Sequence, residues 1–466
     1  MKEQRVLTVA QTRENERRAE ENGLSEDVLI ENAAAAVVAD IKKNIKRPSA
    51  VAVFVGSGNN AADGLSVARM LHLDGYKTEV VTLTDKLNEY SRKRLDGYRY
   101  VGGKVVDIKT AKLRADFYKV IVDAVFGIGL CREVEGVFRE AIELINAANA
   151  TVVSVDIPSG LSAVDGFCMG VAVKADTTVT FGSYKYGHLL GQGADYCGKL
   201  VLSDIGITAD GGAVLCDETH PYLPPRKKVS HKGDYGRVRI IGGSGNMIGA
   251  PLMSCESAVF HGAGLVTLCA ASSLMGAYRE RVKEEMLLPL PGNDGNIIFD
   301  KDALDGVMSG ADTICIGMGM GANPELLKIL QYLCFNFRGR VVVDADGLNA
   351  LTGKTDMLKG HKCELILTPH RGEFYRLFGE TKESDIVDKT FAMAASLNAV
   401  IVNKSNTTII TDGKEIYLNT SGSPTLARGG SGDKLVGAIA AYSARIGSLK
   451  GSARAAYECG KLSEKE

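Results

Sequence analysis

The chain has 466 residues, 45% hydrophobic and 24% charged, the balance of an ordinary folded protein rather than a disordered or fibrous one. Lys plus Arg (55) nearly cancels Asp plus Glu (56), so no overall field recruits nucleic acid or an anionic membrane, and neither is an expected partner. A chain of this length is too long for one core and predicts two domains of roughly 200–250 residues.

No stretch approaches the roughly 20 apolar residues of a membrane span. The apolar run at residues 6–10 is too short for a secretory signal, so a cytoplasmic protein is expected. The ten cysteines, at 131, 168, 197, 216, 255, 269, 315, 334, 363 and 459, form no C-x-x-C pair and no Cys/His cluster at zinc spacing. They are expected to be small buried hydrophobes in reducing surroundings.

Residues 10–45 carry helical periodicity in two segments parted at Gly23-Leu24-Ser25, with Ser25 placed to cap the second. Residues 51–55 form an apolar strand that runs into Gly56-Ser57-Gly58-Asn59-Asn60-Ala61-Ala62-Asp63-Gly64 and then a helix over 65–72. This is the first strand, turn and helix of a parallel α/β sheet. The turn fits G-x-G-x-x-A, and Glu79 lies about where a dinucleotide fingerprint places its acid. The two asparagines and the aspartate in the turn favour instead a ligand held by side-chain hydrogen bonds or ion coordination.

Further strands are expected at 78–83, 104–108, 119–125, 151–156, 176–181 and 199–203, with polar residues at their ends. Taken singly, such an Asp is a turn or cap residue and such a Lys is solvated. Their recurrence gathers Asn60, Asp123, Asp156 and Ser159 at the edge where open α/β sheets bind ligands, with Lys185 on a further loop. Oxygens of Asn, Asp and Ser suit a hard cation, and an Asp with a Lys could move a proton beside an imine or oxocarbenium.

On Asn59-Asn60-Ala61-Ala62-Asp63-Gly64, Val122-Asp123-Ala124, Val155-Asp156-Ile157-Pro158-Ser159-Gly160 and the Lys185 loop, residues 5–205 resemble the epimerase domain of the NAD(P)H-hydrate repair enzymes. The resemblance implies that Asn60, Asp123 and Ser159 hold a potassium ion. It implies a hydrated nicotinamide nucleotide on Asn59, Asn60, Ala61, Ala62, Asp63, Gly127, Ile128, Gly129, Leu130, Cys131, Arg132, Glu133 and Asp156. Asp156 and Lys185 would then serve the acid and base steps. The family pattern has two glycines where this chain has Ala61-Ala62; at a left-handed position each methyl would cost roughly 1 kcal/mol or more.

Residues 206–230, with Gly211-Gly212, Pro221, Pro224, Pro225 and the basic run Arg226-Lys227-Lys228, mark a domain boundary. Strands then recur at 237–241, 266–269, 313–316, 341–344, 365–368 and 400–403. A hairpin of 407–411 against 414–418 follows, with Asp412-Gly413 as a type I′ signal. No P-loop motif is present. His370, between Pro369 and Glu373, either contacts a polar ligand or is satisfied by a neighbouring carbonyl.

Near the end, Ala427-Arg428-Gly429-Gly430-Ser431-Gly432-Asp433 opens a helix whose apolar residues Leu435, Ile439 and Tyr442 repeat at helical spacing. Glycine amides at a helix start form an anion hole, and the dipole is expected to keep Asp433 ionised, ready to take a hydroxyl proton. The alternative is a capped helix after a flexible loop.

Residues 229–445 resemble the ribokinase-like dehydratase domain of the same repair family. The carrying motifs are His231-Lys232-Gly233-Asp234-Tyr235-Gly236, Gly242-Gly243-Ser244 with Gly249-Ala250-Pro251, the Gly317 loop, Val343-Asp344-Ala345-Asp346-Gly347-Leu348-Asn349, Leu367-Thr368-Pro369-His370 and the Asp433 loop. The resemblance implies that Ala250, Gly319, His370 and Asp433 contact the hydrate. It places an adenine nucleotide, ADP or ATP with magnesium, on Lys404, Ser405, Asn406, Thr407, Thr408 and Gly432. Lys404-Ser405 replaces the usual Lys-Gly, and Arg428 and Lys434 flank the anion hole.

The expected fold is therefore α/β: a Rossmann-like three-layer domain over 1–210, a linker over 211–228 and a ribokinase-like domain over 229–466. The expected function is epimerisation and nucleotide-dependent dehydration of hydrated NADH or NADPH by a homo-oligomer. A small-molecule kinase of the ribokinase class, or a nucleotide-binding scaffold with an inactive front domain, are the competing readings.

Overall fold

The computed structural model describes residues 3–45 and 49–465; residues 1, 2, 46–48 and 466, at the margins of or within the expected domains, lie outside the described residues. The chain divides into two compact units, Gln4–Gly212 and one built on Ala213–Glu466.

In the front unit, seven strands lie in the spatial order Lys104–Val106, Lys77–Thr82, Ala50–Val55, Val120–Ala124, Thr151–Val155, Thr177–Phe181, Lys199–Ser203. Each neighbouring pair is parallel. Alternation along Ala50–Val55 sends Val51, Val53 and Val55 into one apolar layer and Ala50, Ala52 and Phe54 into the other, which makes the sheet the middle of three layers. The order reverses between Ala50–Val55 and Val120–Ala124, so a crevice opens beyond their carboxyl ends.

The helix after the first of these strands begins at Asn59 and runs to Leu73, six residues earlier than the residue pattern suggests. Ala61 and Ala62 are therefore helical, fully buried and free of positive φ, and their methyls carry no left-handed strain. Glu79 is buried and bonded to Lys104 at 2.9 Å, Arg114 at 3.0 Å and the Tyr118 hydroxyl at 2.6 Å, and it does not line the front cavity. A short strand absent from the sequence reading, Arg5–Leu7, pairs in parallel with Tyr184–Lys185. Thr8 then caps the helix Val9–Glu21 through a capping box with Gln11. Ser25 precedes Glu26–Asn44 at the cap position but makes no side-chain cap bond.

In the rear unit the order is Met286–Leu290, Leu265–Ala271, Arg237–Ile241, Thr313–Ile316, Arg340–Val343, Glu364–Leu367, Ala399–Asn403, Thr408–Thr411, Ile416–Asn419, Ala213–Leu215. Pairing is parallel as far as Ala399–Asn403 and antiparallel through the hairpin. Ala213–Leu215, inside the stretch expected to be a linker, is a strand parallel to Ile416–Asn419. The reversal of order falls between Arg237–Ile241 and Thr313–Ile316, beside the glycine loops after each. Those loops touch, Gly243 N–H donating to Met318 O at 2.9 Å.

Two local expectations are corrected. The hairpin at Asp412-Gly413 pairs Thr411 with Ile416, and only Gly413 has positive φ, so its four-residue connection is not type I′. Asp412 Oδ1 instead accepts the N–H groups of Lys414 and Glu415, each at 2.9 Å. The I′ geometry occurs at Asp294-Gly295, both with positive φ, between paired Asn293 and Asn296. Cys131 is exposed rather than buried, and all ten cysteines are free.

Gly64 packs the Asn59–Leu73 helix onto the sheet: a Cβ there would stand 2.4 Å from the Ala124 methyl. Gly64→Ala is expected to lower the stability of the front unit by about 1–3 kcal/mol through overpacking. Denaturant unfolding would read this, and an unchanged midpoint would contradict the close approach.

Candidate active sites

A cavity of about 610 Å³ opens at the front switch point. Its lining includes Asn59, Asn60, Asp63, Gly127, Ile128, Gly129, Leu130, Cys131, Arg132, Asp156 and Lys185 of the expected residues. Ala61 and Ala62 do not line it; they pack inward from the helix. Glu133, Asp123 and Ser159 also lie outside the lining.

Asp156 is the strained residue of this site, with φ +66 on a non-glycine backbone. Its N–H donates to Val179 O at 2.8 Å, and its carbonyl accepts from His188 Nε2 at 2.8 Å. Lys185 N–H donates to His188 Nδ1 at 3.1 Å, which fixes the neutral tautomer. Burial and Lys185 push His188 down to about 4, in keeping with that.

Lys185 is 1% exposed and its ammonium pairs with Asp156 Oδ1. It also donates to Thr180 Oγ1 at 2.8 Å and reaches Phe181 O at 3.5 Å. Burial opposes charge on Asp156, but Lys185, His188 and Thr180 together outweigh it and hold the carboxylate below its ordinary range. Asp63 has no such partner among the described residues, and burial with the fields of Asp156 and Glu16 raises it well above the carboxylate range.

Beside the cavity, Asp123 is fully buried. Oδ2 accepts from Ser159 N–H and Ser154 Oγ, each at 2.8 Å, and Oδ1 from Ser159 Oγ at 2.5 Å. Asn60 Nδ2 donates to Phe126 O at 3.0 Å, and Phe126 N–H donates to Ser159 Oγ at 2.8 Å. Asn60, Asp123 and Ser159 thus meet around the Phe126 peptide. Burial raises the Asp123 carboxyl against these donors.

In the rear unit, Gly430 takes φ +90, a conformation that favours glycine, and starts the helix Ser431–Ile446 with no side-chain cap. Asp433 stands in the first turn. The helix start does not keep it fully ionised, as its position alone suggests: burial and the fields of Asp344 and Asp346 outweigh Lys404 and push it up to about 6. Its main-chain carbonyl accepts from Ser254 Oγ at 2.9 Å, which ties it to the helix Gly249–Phe260 that begins beside Ala250.

Gly319, at φ +66, abuts that helix: a Cβ there would stand 3.1 Å from the Ala250 methyl. Lys404 Nζ pairs with Asp344 Oδ1 at 2.7 Å, which also accepts from Thr368 Oγ1 at 2.6 Å. Gly432 lies against this pair; a Cβ there would be 3.5 Å from both Asp344 Oδ2 and Lys404 Nζ. His370 and Lys404 form a parallel bridge. The His370 ring caps its own helix, Nδ1 accepting from Gly372 at 3.0 Å and Glu373 at 3.2 Å, with the ring half exposed. Ser405 and Thr408 join through the Ser405 carbonyl at 3.4 Å, and the Ser405 hydroxyl donates to Asn406 Oδ1 at 2.8 Å. Thr407 is buried.

Residue-by-residue reading overlooked Asp344 as a site residue, although its loop was singled out. It also overlooked Glu16, Arg13 and Arg17, which line the front cavity from the helix Val9–Glu21. The available signal was a charged residue on the inward face of an amphipathic helix, beside Thr12, Asn15 and Ala19.

Two switch-point sites, one with a buried Lys–Asp pair and one with glycine loops and a carboxylate at a helix start, define a two-unit α/β enzyme of small polar substrates. Residues 238–463 match the family model described as NAD(P)H-hydrate dehydratase, and residues 26–187 the one described as YjeF-related protein N-terminus. The bifunctional NAD(P)H-hydrate repair enzyme Nnr of Thermofilum pendens is 35% identical, covering 91% of this chain and 84% of its own. That of Moorella thermoacetica is 34% identical, with 89% and 83% covered. The ADP/ATP-dependent NAD(P)H-hydrate dehydratase from Bacillus subtilis, co-crystallized with ATP/Mg2+, is 26% identical over 52% of this chain and 85% of that one, with a TM-score of 0.44. The chain belongs to the bifunctional NAD(P)H-hydrate repair enzymes. It is an enzyme with NAD(P)H-hydrate epimerase and dehydratase activities. No helix among the described residues is long and apolar enough to cross a membrane.

Lys185→Met removes the ammonium that offsets burial at Asp156, so the Asp156 carboxyl should titrate at higher pH than in the unaltered chain. Carboxyl-carbon NMR of labelled aspartate reads the displacement; an unmoved titration would remove Lys185 from that role.

Proposed function

We propose that the front cavity epimerises hydrated NADH or NADPH, and that the loops around Asp433 dehydrate the S epimer at the expense of ADP or ATP. The observation that carries the rear assignment is the gathering of Asp433, Gly432, Lys404 and Asp344 beyond the carboxyl ends of the parallel strands. A phosphoryl group needs positive charge and main-chain donors, which Lys404 and the start of Ser431–Ile446 supply. A hydroxyl nucleophile needs a base whose pKa lies near working pH, which Asp433 at about 6 supplies.

Water adding across an enamine double bond puts the hydroxyl on the carbon bonded to ring nitrogen. Asp433 takes that hydroxyl's proton as the oxygen receives the phosphoryl group. The carbon–oxygen bond then breaks with its electron pair on phosphate as the nitrogen lone pair closes to an iminium. Loss of a proton from the next carbon restores the dihydronicotinamide. Asp344, its Oδ2 beside Gly432, is the carboxylate that would help hold magnesium, which would spread charge on the nucleotide phosphates. Ala250, Gly319 and His370 would hold the hydrate, and residues 404–408 with Gly432 the nucleotide.

In the front unit, Asn60, Asp123 and Ser159 with the Phe126 carbonyl form an all-oxygen donor set with one buried carboxylate, which fits a monovalent hard cation such as potassium. Bound there, the ion would supply the countercharge for Asp123 and fix the loop over residues 126–130. Asp156, kept ionised by Lys185, handles the proton of the substrate hydroxyl. A homo-oligomer in the cytoplasm is the state in which we expect the protein to work.

Incubation of purified S-hydrate with each nucleotide tests the rear assignment: regained dihydronicotinamide absorbance with free phosphate is expected. An accumulating phosphoester would make the protein a ribokinase-class kinase instead. The rate should rise with pH through about 6 as Asp433 ionises, and Asp433→Asn should abolish turnover while nucleotide still binds. For the front unit, replacing potassium with a bulky organic cation should suppress epimerisation; an indifferent rate would remove the ion from the reaction.

A further inference from the structure

Epimerisation at a carbon bonded to both hydroxyl and ring nitrogen needs a bond to that carbon broken and remade on the opposite face. Such a step needs two proton carriers of different acidity. The Asp156–Lys185 pair supplies one. Lys185 is 1% exposed and spends its N–H donors on Asp156, Thr180 Oγ1 and Phe181 O, so its proton is committed to keeping Asp156 charged. A second carrier has to come from elsewhere on the cavity wall.

Glu16 lies on the helix Val9–Glu21, on the inward face it shares with Thr12, Asn15 and Ala19, and lines the same cavity as Asp156 and Lys185. The strand Arg5–Leu7 fixes that helix to the site, because Leu7 is in register with Lys185 itself. Arg17 and Arg18 bind Glu14, and Arg17 also Glu21, but the Glu16 carboxyl makes no hydrogen bond or ion pair among the described residues. It is half-buried and faces the cavity without a partner.

We propose that Glu16 is a catalytic residue of the epimerase, the general acid that protonates the ring nitrogen of the hydrate. The proposal rests on the reading of the front cavity as the epimerase site. As Glu16 gives its proton to nitrogen, Asp156 takes the hydroxyl proton, the carbon–nitrogen bond breaks with its pair on nitrogen, and the carbinol becomes an aldehyde. After rotation of the freed carbonyl, nitrogen attacks the other face; its proton returns to Glu16, and Asp156 hands its proton back to oxygen. Protons and electrons balance, and no oxidant or second substrate is consumed.

The surrounding charges suit the role. Burial and the Asp156 carboxylate raise Glu16, Lys185 lowers it, Glu26 raises it and Arg13 lowers it, leaving it at about 7. Of the other carboxyls on the wall, Asp63 is raised well above its ordinary range by burial and stays a fixed donor, and Glu26 is raised by burial and by its contact with Glu20, which also lines the cavity. Glu16 can both give and regain a proton near neutrality.

The test uses the full chain and hydrated NADH supplied as the separated R epimer, with the epimer ratio followed by chromatography. In the unaltered chain the rate should fall as pH rises through about 7, because the protonated form of Glu16 is required. Glu16→Gln should lower kcat about 100-fold or more and abolish that limb, with KM little changed. Glu16→Asp should restore part of the rate and the limb. Dehydration of supplied S epimer controls for folding of the chain.

An unaltered rate and pH profile in Glu16→Gln overturns the proposal. So does a loss carried by KM in both variants, which marks a structural role. Asp156→Asn separates the two failures: if it epimerises normally, the cavity is misassigned and the Glu16 proposal falls with it. If only Glu16→Gln does, the cavity reading stands alone.

Discussion

Both units depend on one constraint: a parallel sheet covered by helices on both faces has nowhere to put polar chemistry except beyond its strand ends. The central strands read as continuous apolar runs, and alternate side chains enter two separate cores. Charge is pushed to the carboxyl edge, and at the switch point the diverging chains leave a crevice. Asn60, Asp123 and Asp156 gather in one unit, and Asp344, Lys404 and Asp433 in the other, without any sequence proximity within either set.

At such an edge, the partner of each buried carboxylate decides what it can do. Asp123 is surrounded by hydroxyl and N–H donors and remains acceptor-only; Asp156 and Asp344 are each given a lysine. Asp433 and Glu16 are given none and rise to about 6 and about 7. Lys185 keeps Asp156 charged and so able to accept a hydroxyl proton, while Asp433 and Glu16, raised toward neutrality, can give and regain a proton near working pH. Environment, rather than residue type, divides the roles among chemically equivalent side chains.

Much of this edge was legible in the chain because glycine turns and strand-end polar residues mark it directly. The central strands came out within a residue or two, since their apolar runs are long and bounded. Short pairings did not: Arg5–Leu7 and Ala213–Leu215 have three residues each, too few for any period to register. Met286–Leu290 is masked by Pro289, which is tolerated because the strand lies at the sheet's edge. Asp412-Gly413 has the composition of a I′ turn, yet Asp412 bonds locally to Lys414 and Glu415 and the loop is longer, whereas Asp294-Gly295 has the true geometry.

Ala61-Ala62 shows why a motif departure needs coordinates before it means anything. Had the glycine turn extended through Asp63, two methyls would have strained the backbone at the site. The helix begins at Asn59 instead, so the alanines take the conformation they favour and fill the layer beneath the cavity, while Asn59, Asn60 and Asp63 project from the same first turns. The polar face of that helix is set by its capping turn and its apolar face by the sheet. A change from glycine to alanine on the inward side therefore alters packing and leaves the donors where they were.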